Sequence, residues 1–478
     1  MSTTYDFDLA VIGAGPAGEK AAAQAAYFGK RVAIIERARD VGGACVNTGT
    51  LPSKTLRETA LFLSGFRQRQ LYGFTFNAGE SVSVAHFMSR QEPVCGSELA
   101  RIRENLGRHR IELLWGSAKL LDEHTLEVAE RSGGTRTLSS DVVLIATGST
   151  PFQPPHIPFA DPDIDDSDTI LELDRIPRTM VILGGGVIGC EYATIFAPLG
   201  VKVTLVEARD KMLPFLDLEM TQLLVEKLDE IGIDVITKAE AKSVEKRADG
   251  LVHVLLSNGK ELVSEKLLFA AGRNGNTRGL GLEGIGVTPD KRGQVKVDEH
   301  FRIEGARGGR VYAAGDVIGF PALASTSMEQ GRVAVCHAFD LGYKTKVSEH
   351  LPYGIYTIPE VSFIGETEQS CEAKGIDYVV GRARYRDNAR GQIVGDLDGM
   401  LKLIFAADDK RLLGVHIIGE RATELVHIGQ MVIHAGGPID TFIYEVFNYP
   451  TLSEMYKYAA YDGLGNLARR NALLRATG

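Results

Sequence analysis

Two glycine-rich loops are the residues of this chain whose types and spacing most clearly suggest chemistry. The first loop reads GAGPAG at 13–18, and the second reads GGGVIG at 184–189. Each loop follows a short apolar run and precedes a helical pattern. In such a unit the first glycine permits a tight turn, the second lets backbone approach a pyrophosphate, and the third lets the helix pack on the strand. We therefore expect two dinucleotide sites.

An acidic residue ends the strand that follows each loop. Glu36 follows Gly13 at the same interval, 23 residues, at which Glu207 follows Gly184. One glycine loop alone is also a common tight turn, whereas two matched copies are typical of a chain that binds two nucleotides. Two dinucleotides in one chain suggest hydride transfer between them. The glycines expected to form the two sites are Gly13, Gly15, Gly18, Gly184, Gly186 and Gly189.

Composition and charge favour a globular protein that handles small molecules. The 478 residues are 44% hydrophobic and carry a net charge of −9. An acidic balance argues against nucleic acid or an anionic membrane as the main partner. The sequence contains no apolar run long enough to span a membrane, begins without a signal-peptide pattern, and spaces its five cysteines unlike a metal site. We expect a metal-free, cytoplasmic protein.

The order of patterns along the chain predicts further strands and a third domain. Runs at 141–150, 266–277 and 310–319 each read as a strand whose end presents backbone to a ligand. The segment 151–168 is rich in Pro and Asp and is interpreted as a linker. From about residue 346 onward, alternating apolar runs predict antiparallel strands, followed by a helix, and so an α+β domain.

The segment GGACVNTGTLPSK at 42–54, with AAGD at 313–316, points to a family. With these motifs and the first glycine loop, the chain resembles the FAD-dependent pyridine nucleotide–disulfide oxidoreductases over essentially its whole length. The resemblance implies an α/β fold with two Rossmann-like dinucleotide-binding domains, for FAD and NAD, plus a C-terminal α+β dimerisation domain. It also implies at least a homodimer. The expected boundaries are 1–148 and 275–345 for the two parts of the FAD-binding domain, 149–274 for the NAD(P)-binding domain and 346–478 for the dimerisation domain.

Two positions depart from the disulfide reductases of that family. Those enzymes have a second cysteine where this chain has Thr50, so Cys45 has no disulfide partner there. They have a histidine where this chain has Tyr449, and a phenol, with an ordinary pKa of about 10, is a poor base at neutral pH. Thiol chemistry needs a thiolate and a nearby base. Together with YGIYTIPE at 353–360, these departures make the chain similar to the soluble pyridine nucleotide transhydrogenases.

The resemblance implies roles for residues around the cofactors. Glu36 would bind the adenosine ribose of FAD, and Asp316 its ribityl chain, with a helix N-cap as the alternative for Asp316. Lys54 and Glu191 would form an ion pair beside the flavin and nicotinamide rings, or else a structural salt bridge. Tyr449 would line a site contributed by the partner subunit. The remaining residues expected near the cofactors are Gly43, Cys45, Thr50, Thr147, Gly148 and Gly272. For Cys45, a packed small side chain and a reactive thiol both stay open.

The implied activity is hydride transfer between NADPH/NADP+ and NADH/NAD+ through bound FAD, with one nicotinamide site used in turn. Glu207 argues against the use of NADPH and NADP+, because an acid at that place binds the 2′-hydroxyl of NAD and repels a 2′-phosphate. Arg209 and Lys211 could meet that phosphate, or could be ordinary surface charges. The alternatives are an NADH dehydrogenase, oxidase or diaphorase with quinone or oxygen as acceptor, a dihydrolipoamide dehydrogenase-like enzyme, and a flavoprotein used for binding or redox sensing.

Overall fold

The computed structural model describes residues 5–65 and 82–477. The strands of this part are β1 (Phe7–Ile12), β2 (Val32–Glu36), β3 (Glu112–Leu120), β4 (Thr125–Glu130), β5 (Thr135–Ile145), β6 (Ser149–Pro151), β7 (Ile164–Asp166), β8 (Thr179–Leu183), β9 (Lys202–Val206), β10 (Ile233–Ile236), β11 (Ala241–Lys246), β12 (Val252–Leu256), β13 (Glu261–Ser264), β14 (Lys266–Phe269), β15 (Arg273–Gly275), β16 (Val311–Ala313), β17 (Tyr353–Ile355), β18 (Val361–Gly365), β19 (Tyr378–Arg384), β20 (Met400–Ala406) and β21 (Leu412–Ile418). Its α-helices are α1 (Pro16–Tyr27), α2 (Gly43–Asn47), α3 (Thr50–Ser64), α4 (Val84–Met88), α5 (Gln91–Arg108), α6 (Val187–Phe196), α7 (Leu218–Glu230), α8 (Ala324–Ala338), α9 (Glu368–Lys374), α10 (Ala389–Val394), α11 (Ala422–His434), α12 (Asp440–Tyr444) and α13 (Met455–Thr477).

The first glycine loop belongs to a parallel sheet in the order β3-β2-β1-β5-β16. Leu9 in its central strand pairs with Val32 on one side and Val142 on the other. Every residue of β2 is buried, because parallel strands covered on both faces form continuous apolar runs rather than an alternating pattern. The far ends of β3 and β5 continue into an antiparallel hairpin arrangement with β4. Because β1, β5 and β16 run parallel to one another, their carboxyl ends meet at one edge of the sheet.

The second glycine loop belongs to another parallel sheet, in the order β10-β9-β8-β14-β7. Its edge strand β7 lies inside 151–168, so the interpretation of that whole segment as a linker is wrong. The strand has only three residues, two of them aspartates, and its sequence carries no apolar run that would reveal it. It is held by tertiary contacts, since Asp165 pairs with Leu268 in register and its carboxylate lies 3.1 Å from the buried Nζ of Lys266.

Two short strands carry the chain between the parallel sheets. Strand β6 leaves the first sheet region and pairs with β15, which returns from the second, so that Thr150 lies opposite Asn274. The predicted boundaries at 149 and 274 fall on this two-stranded ribbon and stay predictions as domain limits. Because both crossings occur together, the carboxyl ends of the two parallel sheets face a common space.

The C-terminal part forms an antiparallel sheet in the order β17-β18-β21-β20-β19. This agrees with the alternation in the sequence, and the helix predicted after the strands is α11. Strands β20 and β21 are buried along their whole length, and helices α11 and α13 contribute to the same apolar core. Within the described ranges, no helix combines the length and the apolar character needed to cross a bilayer.

Candidate functional site

A cavity of about 1840 Å³ lies at the carboxyl ends of the strands of both parallel sheets. This is the edge at which open α/β sheets bind ligands, because the loops and helix N-termini converge there. Most of the site residues expected from the sequence line this single space. They are Gly13, Gly15, Glu36, Gly43, Cys45, Thr50, Lys54, Thr147, Gly148, Gly184, Gly186, Glu191, Glu207, Arg209, Gly272 and Asp316.

Three expected site residues do not line the cavity. A Cβ on Gly18 would lie 1.9 Å from the carbonyl oxygen of Gly13, and a Cβ on Gly189 would lie 1.9 Å from that of Gly184. Both therefore do what the third glycine of such a loop does, which is to let helix pack on strand. Tyr449 is 73% exposed and lies outside the cavity wall formed by its own chain.

The first glycine loop and Glu36 form one end of the cavity. Gly13 has a φ of +107°, and a Cβ there would lie 2.4 Å from the carbonyl oxygen of Ala146, so only glycine fits. The backbone N–H groups of Ala14 and Ala38 each donate to a carboxylate oxygen of Glu36 at 2.7 Å. Helix α1 begins after Gly15 with no side chain capping it, so its first N–H groups stay available to a phosphate.

The second glycine loop carries an ion pair at the corresponding place. The N–H of Gly185 donates to Oε2 of Glu207 at 2.8 Å. The Arg209 side chain donates to both carboxylate oxygens, through Nε at 2.8 Å and Nη2 at 2.9 Å, and its backbone N–H adds a bond of 2.9 Å. Burial disfavours the charged carboxylate, but the hydrogen bonds of Arg209 and Gly185 and the charge of Arg209 outweigh burial, so the pKa of Glu207 lies below its ordinary value. Glu207 is therefore ionised and fully paired.

A partly buried ion pair joins two helices in the cavity wall. Nζ of Lys54, on α3, lies 2.6 Å from Oε2 of Glu191, on α6, and the Lys54 side chain is 26% exposed. The other oxygen of Glu191 accepts the backbone N–H of Tyr356 at 2.9 Å. The ammonium also lies 5.0 Å from the centre of the Tyr356 ring, within cation–π range. These contacts fix a positive charge in the cavity wall.

A hydrogen-bonded chain connects Asp316 to the second sheet. The Ser149 hydroxyl donates to Oδ2 of Asp316 at 2.7 Å and accepts from Nε of Arg273 at 2.9 Å. Arg273 also contacts Asp168 at 3.4 Å. Asp316 begins a 3₁₀ turn whose N-cap is Gly315, and its side chain makes no capping bond. Ser149 and Arg273 were not predicted as site residues from the sequence, although each directly follows a predicted strand-end glycine.

Thr147 provides a test of whether the cavity fits a bound cofactor. Its hydroxyl is buried, and it has no hydrogen-bond partner within the described ranges. Buried polar atoms in native structures are almost always paired, so an unpaired hydroxyl in a cavity wall indicates a missing ligand atom. Elsewhere in the wall, a Cβ on Gly43 would lie 2.9 Å from the Cα of Gly15, so a side chain at residue 43 would not fit between these two backbone segments. These residues fit the FAD implied by the sequence.

Cys45 lies in the cavity wall as a free thiol. Burial raises the pKa of this thiol above its ordinary value, and the hydrogen bond with Thr50 offsets burial only in part. The sulfur is therefore a neutral thiol at physiological pH rather than a thiolate. This state agrees with a packed small side chain and not with an activated nucleophile.

The C-terminal domain also contributes to the cavity wall, which sequence analysis did not predict. Thr423, His427 and Gln430 line it from one face of α11, and Nδ1 of His427 lies 2.7 Å from Oε1 of Gln430. The spacing of four and then three residues is the ordinary signature of one helix face. That signal was present in the sequence but did not tell which face met the cavity.

A cluster of carboxylates outside the cavity is a structural ion cluster rather than a metal centre. Asp217, Glu219 and Glu368 come close enough to bind a cation. The space between them already holds the ammonium of Lys402, whose Nζ lies 2.7 Å from Asp217 and 2.8 Å from Glu219 and also contacts Glu368. The Lys402 side chain is fully buried, so the cluster ties α7 to the C-terminal sheet.

Comparison with known families agrees with this geometry. A family model described as pyridine nucleotide-disulphide oxidoreductase matches residues 7–331. A second model, the dimerisation domain of the same family, matches residues 351–460. Together the two matches include all of the cavity wall except Lys344, Val347 and Ser348.

Individual relatives extend the comparison to the whole chain. The soluble pyridine nucleotide transhydrogenase of Mycobacterium tuberculosis is 46% identical over 98% of this chain and 100% of its own length. That of Pectobacterium atrosepticum is 42% identical over 97% and 98%. Among solved structures, the Cu(II) complex of the HOCl-induced flavoprotein disulfide reductase RclA from Escherichia coli is 27% identical, with a TM-score of 0.86, over 96% of this chain and 99% of that one. LpdA from Mycobacterium tuberculosis is also 27% identical, with a TM-score of 0.86, over 95% and 99%.

Proposed function

Because the chain belongs to the pyridine nucleotide-disulphide oxidoreductase family, we propose that it is an FAD-dependent NAD(P)+ transhydrogenase. Relatives that are 42–46% identical over nearly the full length carry the name soluble pyridine nucleotide transhydrogenase. The observation that carries the proposal is one cavity with two nucleotide loops and Thr50 in place of a second thiol. Such a site keeps the parts needed for hydride transfer and lacks a dithiol.

The two ends of the cavity bind different nucleotides. Gly13, Gly15 and Glu36 bind the adenosine and pyrophosphate of FAD, while Thr147 and Asp316 bind its central part. Bound FAD supplies the group that accepts a hydride from one nicotinamide and returns it to another. The second loop, with Gly184, Gly186 and Glu207, binds NAD(H) or NADP(H). Gly43, Gly148 and Gly272 let backbone approach these ligands.

Lys54 and Glu191 orient the reacting groups. The ammonium, held by Glu191 and Tyr356, provides a fixed positive charge where negative charge develops during hydride transfer. No general base is required, because hydride transfer moves no separate proton. Donor and acceptor nucleotides use one nicotinamide site in turn, so the kinetics are ping-pong. Ring orientation then carries most of the rate.

An anaerobic half-reaction experiment tests the activity. The purified holoenzyme is mixed with NADPH while flavin absorbance is followed, and the thionicotinamide analogue of NAD+ is then added. We expect NADPH to bleach the flavin and the analogue to restore the colour while its own reduced form accumulates. Bleaching by NADH alone, with none by NADPH, would refute the transhydrogenase proposal.

A second candidate function is an NADH dehydrogenase or oxidase that passes electrons to quinone or oxygen. Glu207 favours it, since an acid at this place selects a ribose with a free 2′-hydroxyl. Steady-state oxidation of NADH in air, compared with transfer to the NAD+ analogue, separates the two. A dihydrolipoamide dehydrogenase-like activity has less support, because Cys45 is a single neutral thiol.

The assembly and location are part of the same proposal. The match to the family's dimerisation domain supports a homodimer, in which Tyr449 would approach the site of the partner subunit. Its 73% exposure in the single chain is consistent with a surface that a partner covers. Light scattering of the purified protein measures the mass. Cell fractionation tests the expected cytoplasmic location.

A further inference from the structure

A transhydrogenase has to bind two nucleotides that differ by one 2′-phosphate, and Glu207 suits only one of them. Glu207 is 4% exposed and lies against the glycine loop, where a Cβ on Gly185 would come within 2.9 Å of it. A fixed, ionised carboxylate at this place repels a phosphate and accepts a hydrogen bond from a hydroxyl. The inference below rests on the proposed function and concerns how this one site tolerates both nucleotides.

The four acceptor positions of the Glu207 carboxylate are already occupied. Oε1 accepts the backbone N–H and Nε of Arg209, and Oε2 accepts the N–H of Gly185 and Nη2 of Arg209. An ionised carboxylate offers about four lone-pair positions in all. In this arrangement Glu207 has no free position for a ribose hydroxyl, and its charge is neutralised by the guanidinium.

Arg209 lines the cavity and has side-chain donors that Glu207 does not use. Its Nε and Nη2 point at Glu207, whereas Nη1 has no partner within the described ranges, and the side chain is 50% exposed. Between residues 201 and 250, Arg209 is the one basic residue in the cavity wall, and Lys211 is not part of that wall. The acid Glu240 lies in the same wall, so Arg209 is the basic side chain that residues 201–250 contribute next to two acids, Glu207 and Glu240.

We propose that Arg209 determines which nucleotide the second loop accepts, by staying on Glu207 for NADP(H) and leaving it for NAD(H). In the paired arrangement, Nη1 donates to the 2′-phosphate while the other edge of the guanidinium cancels the charge of Glu207. With NAD(H), the guanidinium moves toward solvent and Glu207 accepts the 2′-hydroxyl. The half-exposed side chain of Arg209 permits this movement, whereas the buried Glu207 stays in place.

This arrangement predicts opposite effects on the two nucleotides when Arg209 is removed. Arg209→Met deletes the phosphate donor and exposes the charge of Glu207, so binding of a 2′-phosphate weakens. The same change frees two acceptor positions on Glu207, so binding of a 2′-hydroxyl is maintained or strengthened. Hydrogen bonds to charged groups contribute enough to shift the ratio of affinities roughly 10- to 100-fold. Arg209→Lys keeps the charge without the planar fork and gives an intermediate ratio.

Isothermal titration of the holoenzyme with 2′,5′-ADP and with 5′-AMP measures this ratio without any turnover. The matched control is Arg178→Met, because Arg178 is 90% exposed, pairs with Glu265, and lies at the opposite end of β8 from the glycine loop. The control is expected to bind both probes like the wild type. Glu207→Gln is a second variant that keeps the shape of the site, and it should bind 2′,5′-ADP more tightly and 5′-AMP no more tightly.

The results separate this inference from the proposed function. If wild-type protein is bleached by NADPH but Arg209→Met keeps the wild-type affinity ratio, the role of Arg209 is wrong and the transhydrogenase proposal stands. Equal weakening of both probes by Arg209→Met would also overturn the role, because it would show a structural effect. If NADPH does not bleach the wild type and 2′,5′-ADP does not bind, both proposals fail together.

Discussion

The ion pair of Lys54 and Glu191 allows a prediction in which stability and rate respond differently. Glu191 is nearly buried, at 6% side-chain exposure, and retains the N–H of Tyr356 when Lys54 is changed. Lys54→Met therefore leaves a buried carboxylate with one neutral donor. Removing one partner of a fully buried pair costs about 3–5 kcal/mol, and the 26% exposure of Lys54 places the cost for this pair below that range, at about 2–3 kcal/mol.

The rate of flavin reduction depends on the ammonium itself. A charge-assisted interaction with developing negative charge is worth about 2 kcal/mol, which corresponds to a roughly 30-fold slower anaerobic bleaching by NADH in Lys54→Met. Glu191→Gln keeps the hydrogen bond to Tyr356 and a similar shape, so its loss of stability is smaller. The double variant Lys54→Met/Glu191→Gln removes both charges, so it regains about 1–2 kcal/mol of stability but not the rate.

Stopped-flow absorbance and chemical denaturation measure the two quantities on the same preparations. Lys227→Met is a matched control, because Lys227 is a 16% exposed lysine paired with Asp398 and Glu230 and does not line the cavity. It is expected to lose stability and to keep the bleaching rate. Bleaching of Lys54→Met within threefold of the wild type would refute the electrostatic role. A double variant as unstable as Lys54→Met would refute the buried-charge argument.

Four further substitutions and the pH dependence of the wild type have expected outcomes. Gly189→Ala places a methyl 1.9 Å from a carbonyl oxygen, so chemical denaturation should show a loss of more than about 2 kcal/mol of stability. A Cβ at Gly186 would meet no atom within 4 Å, so Gly186→Ala should lose less than about 1 kcal/mol of stability and should instead weaken nucleotide binding in a titration. Thr147→Val removes an unpaired hydroxyl, so apoprotein stability should not fall, while FAD affinity measured by fluorescence quenching should drop roughly 3- to 10-fold. Burial raises the pKa of Asp217 and Glu219, but other groups outweigh burial: the charge of His416 for Asp217, the hydrogen bond of Arg382 for Glu219, and then Lys402 for both. Both pKa values therefore lie below their ordinary values, so wild-type stability should fall as pH drops below about 4. In Lys402→Met the carboxylates repel each other, so denaturation at pH 7 should show about 3–5 kcal/mol less stability than the wild type. Protonation relieves this repulsion, so the stability of the variant should rise as pH falls from 7 to 5.

The two glycine loops could be recognised from sequence because their chemistry is local. Gly13 and Gly184 need positive φ, and Gly18 and Gly189 need the absence of a Cβ, so each requirement restricts the residue type at its own position. That Thr50 stands where the disulfide reductases have a cysteine was recognised from the family resemblance. Sequence patterns therefore predicted both nucleotide units and a C-terminal α+β domain, whereas the arrangement of the FAD- and NAD(P)-binding domains was implied by the family resemblance.

Pairings between distant segments could not be read in this way. Strand β7 has no apolar pattern and exists because it pairs with β14. Ser149 and Arg273 join Asp316 only because β6 and β15 cross together. Helix α11 reaches the cavity because of how the C-terminal sheet packs, which no spacing within the helix records.

Glu207 and Arg209 illustrate which features the sequence determines and which ones depend on the tertiary structure. The sequence by itself determined that an acid ends the strand after the second loop and that Arg209 follows two residues later. Only the tertiary structure decided that the guanidinium of Arg209 folds back onto the carboxylate, that Arg209 lines the cavity, and that Lys211 does not. The physical reason is that residue type fixes which bonds a side chain can make, whereas burial and neighbouring backbone fix which of those bonds form.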